Sequence, residues 1–317
     1  ADLSPTPSNF MDLFYAGYTG LGDRSAPKTR RIRDMSAIDI RRTDGVGAEI
    51  HGVNLAAGVS DEDFTAIQDA FAEHGVIFFR DQDISETQHI AFAQRWAVIN
   101  VNRFFAAHPG HPEIALVSKE PDQKDNIGGG WHTDHSYDAE PAMGSILVAR
   151  ELPETGGDTM FSSMYAAYEG LPDDVQQQID GLKAVHSARQ IFGEAPDTYY
   201  NKTDAGGARI GNASVADTLT DVIHPVVITH PLSGKKALYV NPAFTTRIEG
   251  MDEDASDALL TQLYAAAADK SHVHRFEWRP GSIAFWDNRS TWHWALNDYQ
   301  GQRRVMHRIT LEGCALN

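Results

Sequence analysis

The stretch FWDNRSTWHWALNDYQGQRRVMHRITLEG, residues 285–313, decides the fold because it joins strand-like segments through a polar turn. In 291–295 and 303–311, apolar and polar side chains alternate as they do along a half-buried β-strand. Short strands therefore dominate the end of the chain. Segments of the same kind occur earlier, at 48–53, 75–81, 114–118, 145–150, 183–188, 222–230, 236–240, 273–278 and 282–286.

Helical patterns occur early in the chain and between strands. Residues 61–74 carry apolar side chains at helical spacing behind the N-cap candidate Ser60, and Ser85 with Gln88 forms a capping box before HIAFAQRW. Further helices are predicted at 162–180, interrupted at Pro172, and at 252–269. No sustained βα alternation is present, so we predict an α+β fold with a mainly β core, a sandwich or barrel with helical insertions.

Composition and charge exclude several classes of function. The 317 residues fit an N-terminal arm over 1–44 and a single domain over 45–317. The net charge of −17 disfavours nucleic acid as a partner, and no apolar run is long enough to span a membrane. Cys314 is the only cysteine, so no internal disulfide forms, which fits a cytoplasmic protein. The apolar patch at 9–18 could pack on the body or on another subunit, and we expect a homo-oligomer.

The segment WHTDHSYD, residues 131–138, contains candidate metal ligands. On a strand, His132 and Asp134 share one face and His135 points to the other. Two imidazoles and one carboxylate are the ligands of non-haem iron(II) oxygenases, which keep three coordination positions open. Zinc accepts the same ligands, although the helical HExxH spacing of zinc peptidases is absent. The third ligand must come from elsewhere, and His293 lies in a strand-like segment between two tryptophans.

Two arginines follow that histidine within an apolar strand. Arg304 and Arg308 are four residues apart, so both side chains can face one cavity. Two guanidinium groups in such a segment are costly unless an anion meets them. The fixed fork of donors on each group suits a carboxylate.

Several segments together resemble the taurine/phenoxyacetate dioxygenase family of iron(II)- and 2-oxoglutarate-dependent oxygenases, over about 45–313. They occur in the family's order: WHTD (131–134), GGDT (156–159), HPVV (224–227), THPLSGKKALYVNPAFTTRIEGM (229–251), WDNR (286–289) and QRRVMHR (302–308). The resemblance implies a double-stranded β-helix, or jelly roll. It also implies Fe(II), 2-oxoglutarate and O₂ as cofactor and cosubstrates.

The same resemblance implies a role for each matching residue. His132, Asp134 and His293 would be the iron ligands. Arg304, helped by the hydroxyl of Thr159, would bind the distal carboxylate of 2-oxoglutarate. Arg308 would lie near the iron-bound end and touch both the cosubstrate and the substrate's anion. An aspartate ligand also argues against a halogenase, since those enzymes lack the carboxylate.

The substrate is predicted to be a small organic anion other than taurine. The histidine that binds sulfonate in the taurine enzymes is replaced by Asn102, and the polar run that contacts the amine is replaced by Ile127 and the glycines 128–130. The glycines could make room for a bulkier group or act as a hinge. His135 could contact substrate or make a structural hydrogen bond. The candidate substrate residues are Arg308, Asn102, Phe105, His135, Tyr137 and Phe244.

The leading hypothesis is thus a dioxygenase that hydroxylates a carboxylate, sulfonate or sulfate ester, with succinate and CO₂ as co-products. A biosynthetic hydroxylase or desaturase acting on an amino-acid-like acid is an alternative of the same class. A non-catalytic jelly roll that binds metal or ligand is the alternative from another class. The presence of all six cofactor-site residues argues against that last reading.

Overall fold

The computed structural model describes residues 38–193, 199, 203–205 and 219–317. Its strands are β1 (Asp39–Arg42), β2 (Ala48–His51), β3 (Val76–Phe79), β4 (Ile99–Asn100), β5 (Ala107–His108), β6 (His111–Lys119), β7 (Gly144–Glu151), β8 (Thr159–Ser163), β9 (Lys183–His186), β10 (Val222–Pro225), β11 (Val227–Thr229), β12 (Lys236–Leu238), β13 (Thr245–Ile248), β14 (Val273–Phe276), β15 (Ile283–Asp287), β16 (Thr291–Ala295) and β17 (Arg304–Leu311).

The helices lie outside the sheets. They are α1 (Asp61–His74), α2 (Glu86–Gln94), α3 (Met164–Glu169), α4 (Asp173–Ile179), α5 (Arg189–Phe192) and α6 (Glu253–Ala267), with 3₁₀ turns at Leu55–Ala57 and Lys270–His272. The side chain of Ser60 caps α1, and Ser85 with Gln88 forms the predicted capping box of α2. These caps satisfy backbone N–H groups that a helix start leaves unpaired.

Two facing sheets build the body of the described chain. The larger has the order β1-β2-β3-β15-β7-β17-β6-β5, with β4 also paired to β17, and it is antiparallel except between β2 and β3. The smaller has the order β14-β8-β16. Two further small sheets, β10-β9-β13 and β11-β12, extend the fold. This is the jelly-roll architecture, so the predicted fold class is confirmed.

Side-chain alternation along the larger sheet creates a separate core on each of its faces. Ile77, Ile146 and Phe285 pack on the outer face against α1 and α2. On the inner face, Phe78, Leu147, Trp286 and Met306 pack against Phe161 and Phe276 of the smaller sheet. Arg304 and Arg308 have the same parity on β17 as Met306, so both arginines point between the sheets.

Two of the predicted segments differ from those expected. Residues 159–163 form β8, and the helix predicted from 162 begins only at Met164, because Ser163 accepts a hydrogen bond from the Ala166 N–H and caps it. The segment 222–230 is two strands, since the chain leaves β9 at Pro225 and pairs with β12 from Val227. The remaining predicted helices and strands appear within a few residues of their expected ends.

The start of the chain is described only in part. Residues 1–37 of the predicted arm 1–44, with the apolar patch at 9–18, lie outside the described residues. Asp39–Arg42, placed in that arm by the sequence, form β1 and pair antiparallel with β2 at the edge of the larger sheet. In the described part of the chain, no helix is both long and apolar enough to span a bilayer.

Candidate active site

His132 and His293 are held opposite each other by the backbone. The His132 N–H donates to the His293 carbonyl at 3.1 Å, and the His293 N–H donates back to the His132 carbonyl at 2.8 Å. His293 belongs to β16, whose partner β8 places it beside Phe161. The two imidazole centroids are consequently only 4.0 Å apart, inside the space between the sheets.

Asp134 completes the group from a turn and not from a strand. After His132 the chain bends, and His135 takes a left-handed backbone conformation with φ of +59°. The turn brings the Asp134 carboxylate to 3.8 Å from Nε2 of His132 and 3.8 Å from Nε2 of His293. One ligand atom from each of the three residues lies within 4.8 Å of the others. The three residues predicted as ligands are therefore brought together.

The protonation states of the three side chains suit a divalent metal. Burial lowers the pKa of both His132 and His293, which keeps the imidazoles neutral. Burial alone would raise the pKa of Asp134, but Arg308 and the neighbouring imidazoles hold it well below its ordinary value. Nδ1 of His132 donates to the Gly130 carbonyl at 2.8 Å, which leaves Nε2 as the ligand atom. The donor set thus fits iron(II), with neutral imidazoles and an ionised carboxylate.

Arg304 is a buried cation, and two of its nitrogens have no hydrogen-bond partner among the described residues. Only 4% of the residue is exposed, and neither its Nε nor its Nη2 has a hydrogen-bond partner. Burial lowers the pKa of Arg304, and the nearby Asp158 is already paired with Arg275 at 2.7 Å. A buried guanidinium in this state is unfavourable until an anion reaches it. Its surroundings can therefore hold a carboxylate.

Thr159 is linked to that cation through Trp278, which contacts both, and it has a hydroxyl hydrogen to offer. The indole N–H of Trp278 donates to Thr159 Oγ1 at 2.9 Å, so the hydroxyl must donate elsewhere. The Trp278 ring is also 5.7 Å from Cζ of Arg304. Sequence reasoning identified Thr159 but missed Trp278, whose only signal was a tryptophan just before a Pro-Gly turn.

Arg308 lies four residues along β17, about 13 Å from Arg304 by strand geometry. Its Nη1 donates to the two carboxylate oxygens of Asp134 at 3.2 and 3.4 Å, and its Nε is buried without a partner. The ring of Phe105 lies 4.6 Å from its Cζ. Arg308 is thus next to the metal ligands and retains a donor for a second anion.

A cavity of about 290 Å³ opens beside two of the three ligands, His132 and Asp134. Most of its wall is aromatic or aliphatic, and among the described lining residues Asp134 is the only carboxylate. It therefore offers an apolar site with a cation at one end and no partner for an ammonium group. The lining residues are Phe105, Ile127, Gly128, Gly129, Gly130, Trp131, His132, Asp134, Tyr137, Ile191, Phe192, Tyr199, Pro242, Ala243, Phe244 and Arg308.

Each glycine of the run has a different local environment. Gly128 has φ of +76°, and a Cβ there would lie 3.2 Å from Cε1 of His132. A Cβ on Gly129 would meet Oδ1 of Asn126 at 2.9 Å and the Tyr199 hydroxyl at 3.3 Å. A Cβ on Gly130 would meet nothing within 4 Å. Two of the glycines thus give close approach to neighbouring side chains, and the third leaves open space.

Asn102 and His135 lie behind the cavity wall. Oδ1 of Asn102 accepts from the N–H groups of Phe104 and Phe105, and its Nδ2 lies 3.4 Å from Nε2 of His135. His135 is 2% exposed and its Nδ1 lies 2.8 Å from Oδ2 of Asp138. The structure brings Phe105, Tyr137, Phe244 and Arg308 into the cavity but not these two side chains. Both candidacies came from the resemblance to the taurine enzymes, whereas strand alternation had turned His135 away from the face of the metal ligands.

Tyr199 is a lining residue that sequence reasoning missed. Its hydroxyl donates to the Asn126 carbonyl at 2.6 Å, which holds the ring against the glycine run. More than 60 residues separate it from those glycines, and no pattern in the sequence links them. Phe192, at the end of α5, lines the cavity as well.

A second cluster of possible ligands lies elsewhere, formed by Glu86, His108 and His307. Nε of Arg150 donates to Nδ1 of His307 at 3.1 Å, and Nη2 of Arg150 lies 3.6 Å from Oε1 of Glu86. The Gly110 N–H donates to Nδ1 of His108 at 3.2 Å. Both neutral imidazoles therefore carry hydrogen on Nε2, and a guanidinium already neutralises the carboxylate. This arrangement is a hydrogen-bond network and a poor metal site.

Comparison with known proteins agrees with this geometry. The profile of the family "Taurine catabolism dioxygenase TauD, TfdA family" matches residues 39–310. The chain belongs to this family. It is an iron(II)- and 2-oxoglutarate-dependent dioxygenase by class, which confirms the predicted family, enzyme class, cofactor and cosubstrates.

The proteins that this chain resembles carry different functional names. An alkylsulfatase of Acinetobacter baylyi is 34% identical over 87% of this chain and 85% of its own length. A pentalenolactone F synthase of Streptomyces avermitilis is 32% identical, covering 86% of this chain and 94% of that protein. A solved taurine dioxygenase from Burkholderia xenovorans has a TM-score of 0.74 and 31% identity, with 89% of this chain and 93% of that chain covered.

Proposed function

We propose that this dioxygenase hydroxylates an apolar organic monoanion, with an alkyl sulfate ester as the leading substrate class. His132, Asp134 and His293 hold iron(II). Arg304 and Thr159 bind the distal carboxylate of 2-oxoglutarate. Arg308 binds the anionic group of the substrate, and Phe105, Tyr137 and Phe244 surround its apolar part.

The unpaired Arg304 is the observation that carries the cosubstrate assignment. A guanidinium with two unpartnered nitrogens at 4% exposure persists in a folded protein when function requires it. A carboxylate arriving there gains charge-assisted hydrogen bonds without competing with water. Phosphate-bearing cosubstrates are a poorer match, since one arginine and one hydroxyl cannot neutralise several charges.

The substrate assignment rests on the cavity. A cation at one end and aromatic walls beyond it suit a single negative charge on an apolar body. Taurine and amino acids carry an ammonium group as well, and the described lining offers no free carboxylate to receive it. The alkylsulfatase relative supports a sulfate ester within this class.

The chemistry follows from positioning. Bound iron(II) would supply oxygen activation coupled to the oxidation of 2-oxoglutarate to succinate and CO₂. Arg308 anchors the anionic group, so the carbon attached to the ester oxygen lies nearest the ligands. Insertion of one oxygen atom there gives a hydroxylated ester, which releases an aldehyde and sulfate with one proton. The aromatic walls exclude water from this carbon.

A second candidate is biosynthetic oxidation of a bulky apolar carboxylic acid. The pentalenolactone F synthase relative and the same aromatic walls favour it. It differs from the first in the leaving group, since a hydroxylated carbon without oxygen or sulfur attached gives a stable alcohol or alkene. An amino-acid-like acid, the alternative predicted from sequence, fits the cavity less well because the described lining has no free carboxylate to receive its ammonium group.

Two measurements test the proposal. Without oxygen, iron(II) and 2-oxoglutarate should together produce a weak visible charge-transfer band in the wild-type protein and none in Asp134→Ala. His108→Gln, in the second cluster, is the matched control and should keep the band. A folded, iron-loaded wild type without the band would exclude the cosubstrate assignment.

Turnover then identifies the substrate class. Succinate release should be stimulated by alkyl sulfates of increasing chain length more than by taurine, amino acids or aryloxy acids, and aldehyde and sulfate should appear in equal amounts. Strong stimulation of succinate release by taurine would contradict the prediction that Asn102 and the glycines 128–130 replace the groups that bind taurine. The predicted homo-oligomer and cytoplasmic location remain predictions, and light scattering would test the first.

A further inference from the structure

Two asparagines, Asn102 and Asn241, make the same kind of turn just before a phenylalanine that lines the cavity. Each begins a short turn that ends in a lining phenylalanine. Oδ1 of Asn102 accepts from the N–H groups of Phe104 at 2.8 Å and Phe105 at 3.1 Å. Oδ1 of Asn241 accepts from the N–H groups of Ala243 at 3.2 Å and Phe244 at 3.0 Å. Both are side-chain-capped turns, which fix the direction of the residues that follow.

The remaining amide nitrogen of each asparagine reaches the turn that carries Asp134. Nδ2 of Asn241 donates to Oγ of Ser136 at 2.9 Å, and both residues are fully buried. Nδ2 of Asn102 lies 3.4 Å from Nε2 of His135. Because Oδ1 of each asparagine is engaged by backbone donors, the orientation of each amide is determined by the hydrogen bonds around it.

The contact between Asn102 and His135 has a defined polarity. The Asp138 carboxylate accepts from Nδ1 of His135 at 2.8 Å, so that nitrogen carries the hydrogen. With that hydrogen on Nδ1, Nε2 can accept from the Asn102 amide, whose Nδ2 lies 3.4 Å away. Arg103, next to Asn102 in the chain, also donates to the Asp138 carboxylate, which joins the same two segments a second time.

We propose that Asn102 and Asn241 are positioning residues that set the two aromatic walls relative to the metal-ligand turn. They bond to consecutive residues, His135 and Ser136, directly after Asp134. Any displacement of that turn is thereby transmitted to Phe105 and to Phe244, which both line the cavity. These two hydrogen bonds, from Asn102 to His135 and from Asn241 to Ser136, are called the tethers below. They determine which substrate carbon lies beside the ligands, so they govern the coupling of 2-oxoglutarate oxidation to substrate hydroxylation. This inference rests on the proposed function of the same cavity.

The test removes each asparagine's hydrogen bond to the metal-ligand turn and keeps the turn that the asparagine itself caps. Asn102→Ser retains a hydroxyl that can accept from the backbone but is too short to reach His135. Ser136→Ala removes the acceptor of the Asn241 amide and leaves the Asn241 turn in place. Asn54→Ser is the matched control, because Oδ1 of Asn54 caps Ala56 and Ala57 in the same way in an exposed turn that does not contact the cavity.

The first readout needs no activity. In the metal-free protein, hydrogen–deuterium exchange of the peptides covering 102–105 and 241–244 should be faster in Asn102→Ser and Ser136→Ala, respectively, than in wild type. Asn54→Ser should change neither peptide. Wild-type exchange rates in both variants would overturn the proposal, whatever the enzyme acts on.

The second readout uses whichever substrate the wild type turns over. The ratio of hydroxylated product to succinate should fall at least about threefold in both variants, with the KM for 2-oxoglutarate unchanged. An unchanged ratio would assign the two asparagines a purely structural role. A loss of iron affinity as large as the fall in the ratio would lead to the same conclusion. If the wild type gives no 2-oxoglutarate-dependent succinate at all, the proposed function fails, while the exchange experiment still decides the tethers.

Discussion

Strand β17 carries two buried arginines, Arg304 at its first residue and Arg308 in its middle, and the two differ in the groups that they contact. Arg308 is paired with the Asp134 carboxylate and lies against Phe105. Arg304 is equally buried, yet two of its nitrogens have no partner. The first charge stabilises the protein in the absence of any ligand, and the second is a cost that a ligand must offset. The same residue type on one face of one strand therefore has opposite effects on the unliganded fold.

Replacing Arg304 should have the largest effect on the cosubstrate. In Arg304→Met, the KM for 2-oxoglutarate should rise about 100-fold, because a buried charge-assisted pair is lost. The free energy of unfolding of the ligand-free protein should rise by about 1–3 kcal/mol, since an uncompensated buried charge is removed. Steady-state kinetics and urea titration measure the two. Arg303→Met, an exposed neighbour paired with Glu120 and Glu151, is the control, and equal effects in both variants would refute the role of Arg304.

Replacing Arg308 should lower the free energy of unfolding, whereas replacing Arg304 should raise it. In metal-free Arg308→Met, the Asp134 carboxylate is left buried beside neutral imidazoles, so the free energy of unfolding should fall by about 1–3 kcal/mol. Adding Mn(II) should restore most of that loss, because the ion supplies the missing positive charge. The KM for substrate should rise about 30-fold with a smaller change for 2-oxoglutarate. Stabilisation of the metal-free variant would contradict the contrast between the two arginines.

Thr159→Val tests the cosubstrate end more gently. The change removes one hydroxyl donor at nearly constant shape, and the KM for 2-oxoglutarate should rise about tenfold. The Trp278 N–H also loses its acceptor, so stability should fall slightly. Ser162→Ala is the comparison variant, since Ser162 lies on the same strand but donates to the Ala267 carbonyl on the other face. It should lower stability while leaving cosubstrate binding unchanged.

The smallest effect is expected at the glycines of the substrate end. Gly129→Ala places a methyl group 2.9 Å from Oδ1 of Asn126 and 3.3 Å from the Tyr199 hydroxyl, so one of them must shift. We expect the KM for substrate to rise about threefold, with the KM for 2-oxoglutarate unchanged. Gly130→Ala, whose methyl group would meet nothing, should behave as wild type. A larger effect at Gly130 than at Gly129 would show that the open space beside Gly130 is where substrate binds.

The cosubstrate end was predictable from sequence because it depends on regular structure. Alternation along 303–311 directs Arg304 and Arg308 to one face, and the strand at 291–295 directs His293 towards them. Strand periodicity is a local property, so the residues themselves contain it. The same holds for the helix at 61–74, whose cap and apolar face lie within fifteen consecutive residues.

The substrate end was less predictable because it is made of turns. The backbone of His135 is left-handed, and nothing in WHTDHSYD requires this before the contacts of Asp138 and Asn102 are known. Asn102 was predicted to contact substrate because it replaces the sulfonate-binding histidine of the taurine enzymes, but its Oδ1 caps its own turn and its Nδ2 lies 3.4 Å from Nε2 of His135. Tyr199 reaches the glycines across a long stretch of chain. Such placements depend on tertiary contacts that local patterns do not encode.

The backbone bridge between His132 and His293 has a consequence for how the protein acquires its ion. Both ligands are held by main-chain hydrogen bonds, at 3.1 and 2.8 Å, to which a metal contributes no atom. Loading then requires little ordering of the chain, unlike in small domains that fold only around their metal. When the iron is lost by oxidation or removed by a chelator, the protein should stay folded and able to bind iron again. Repeated cycles of removal by a chelator and reconstitution should recover most of the activity without a refolding step.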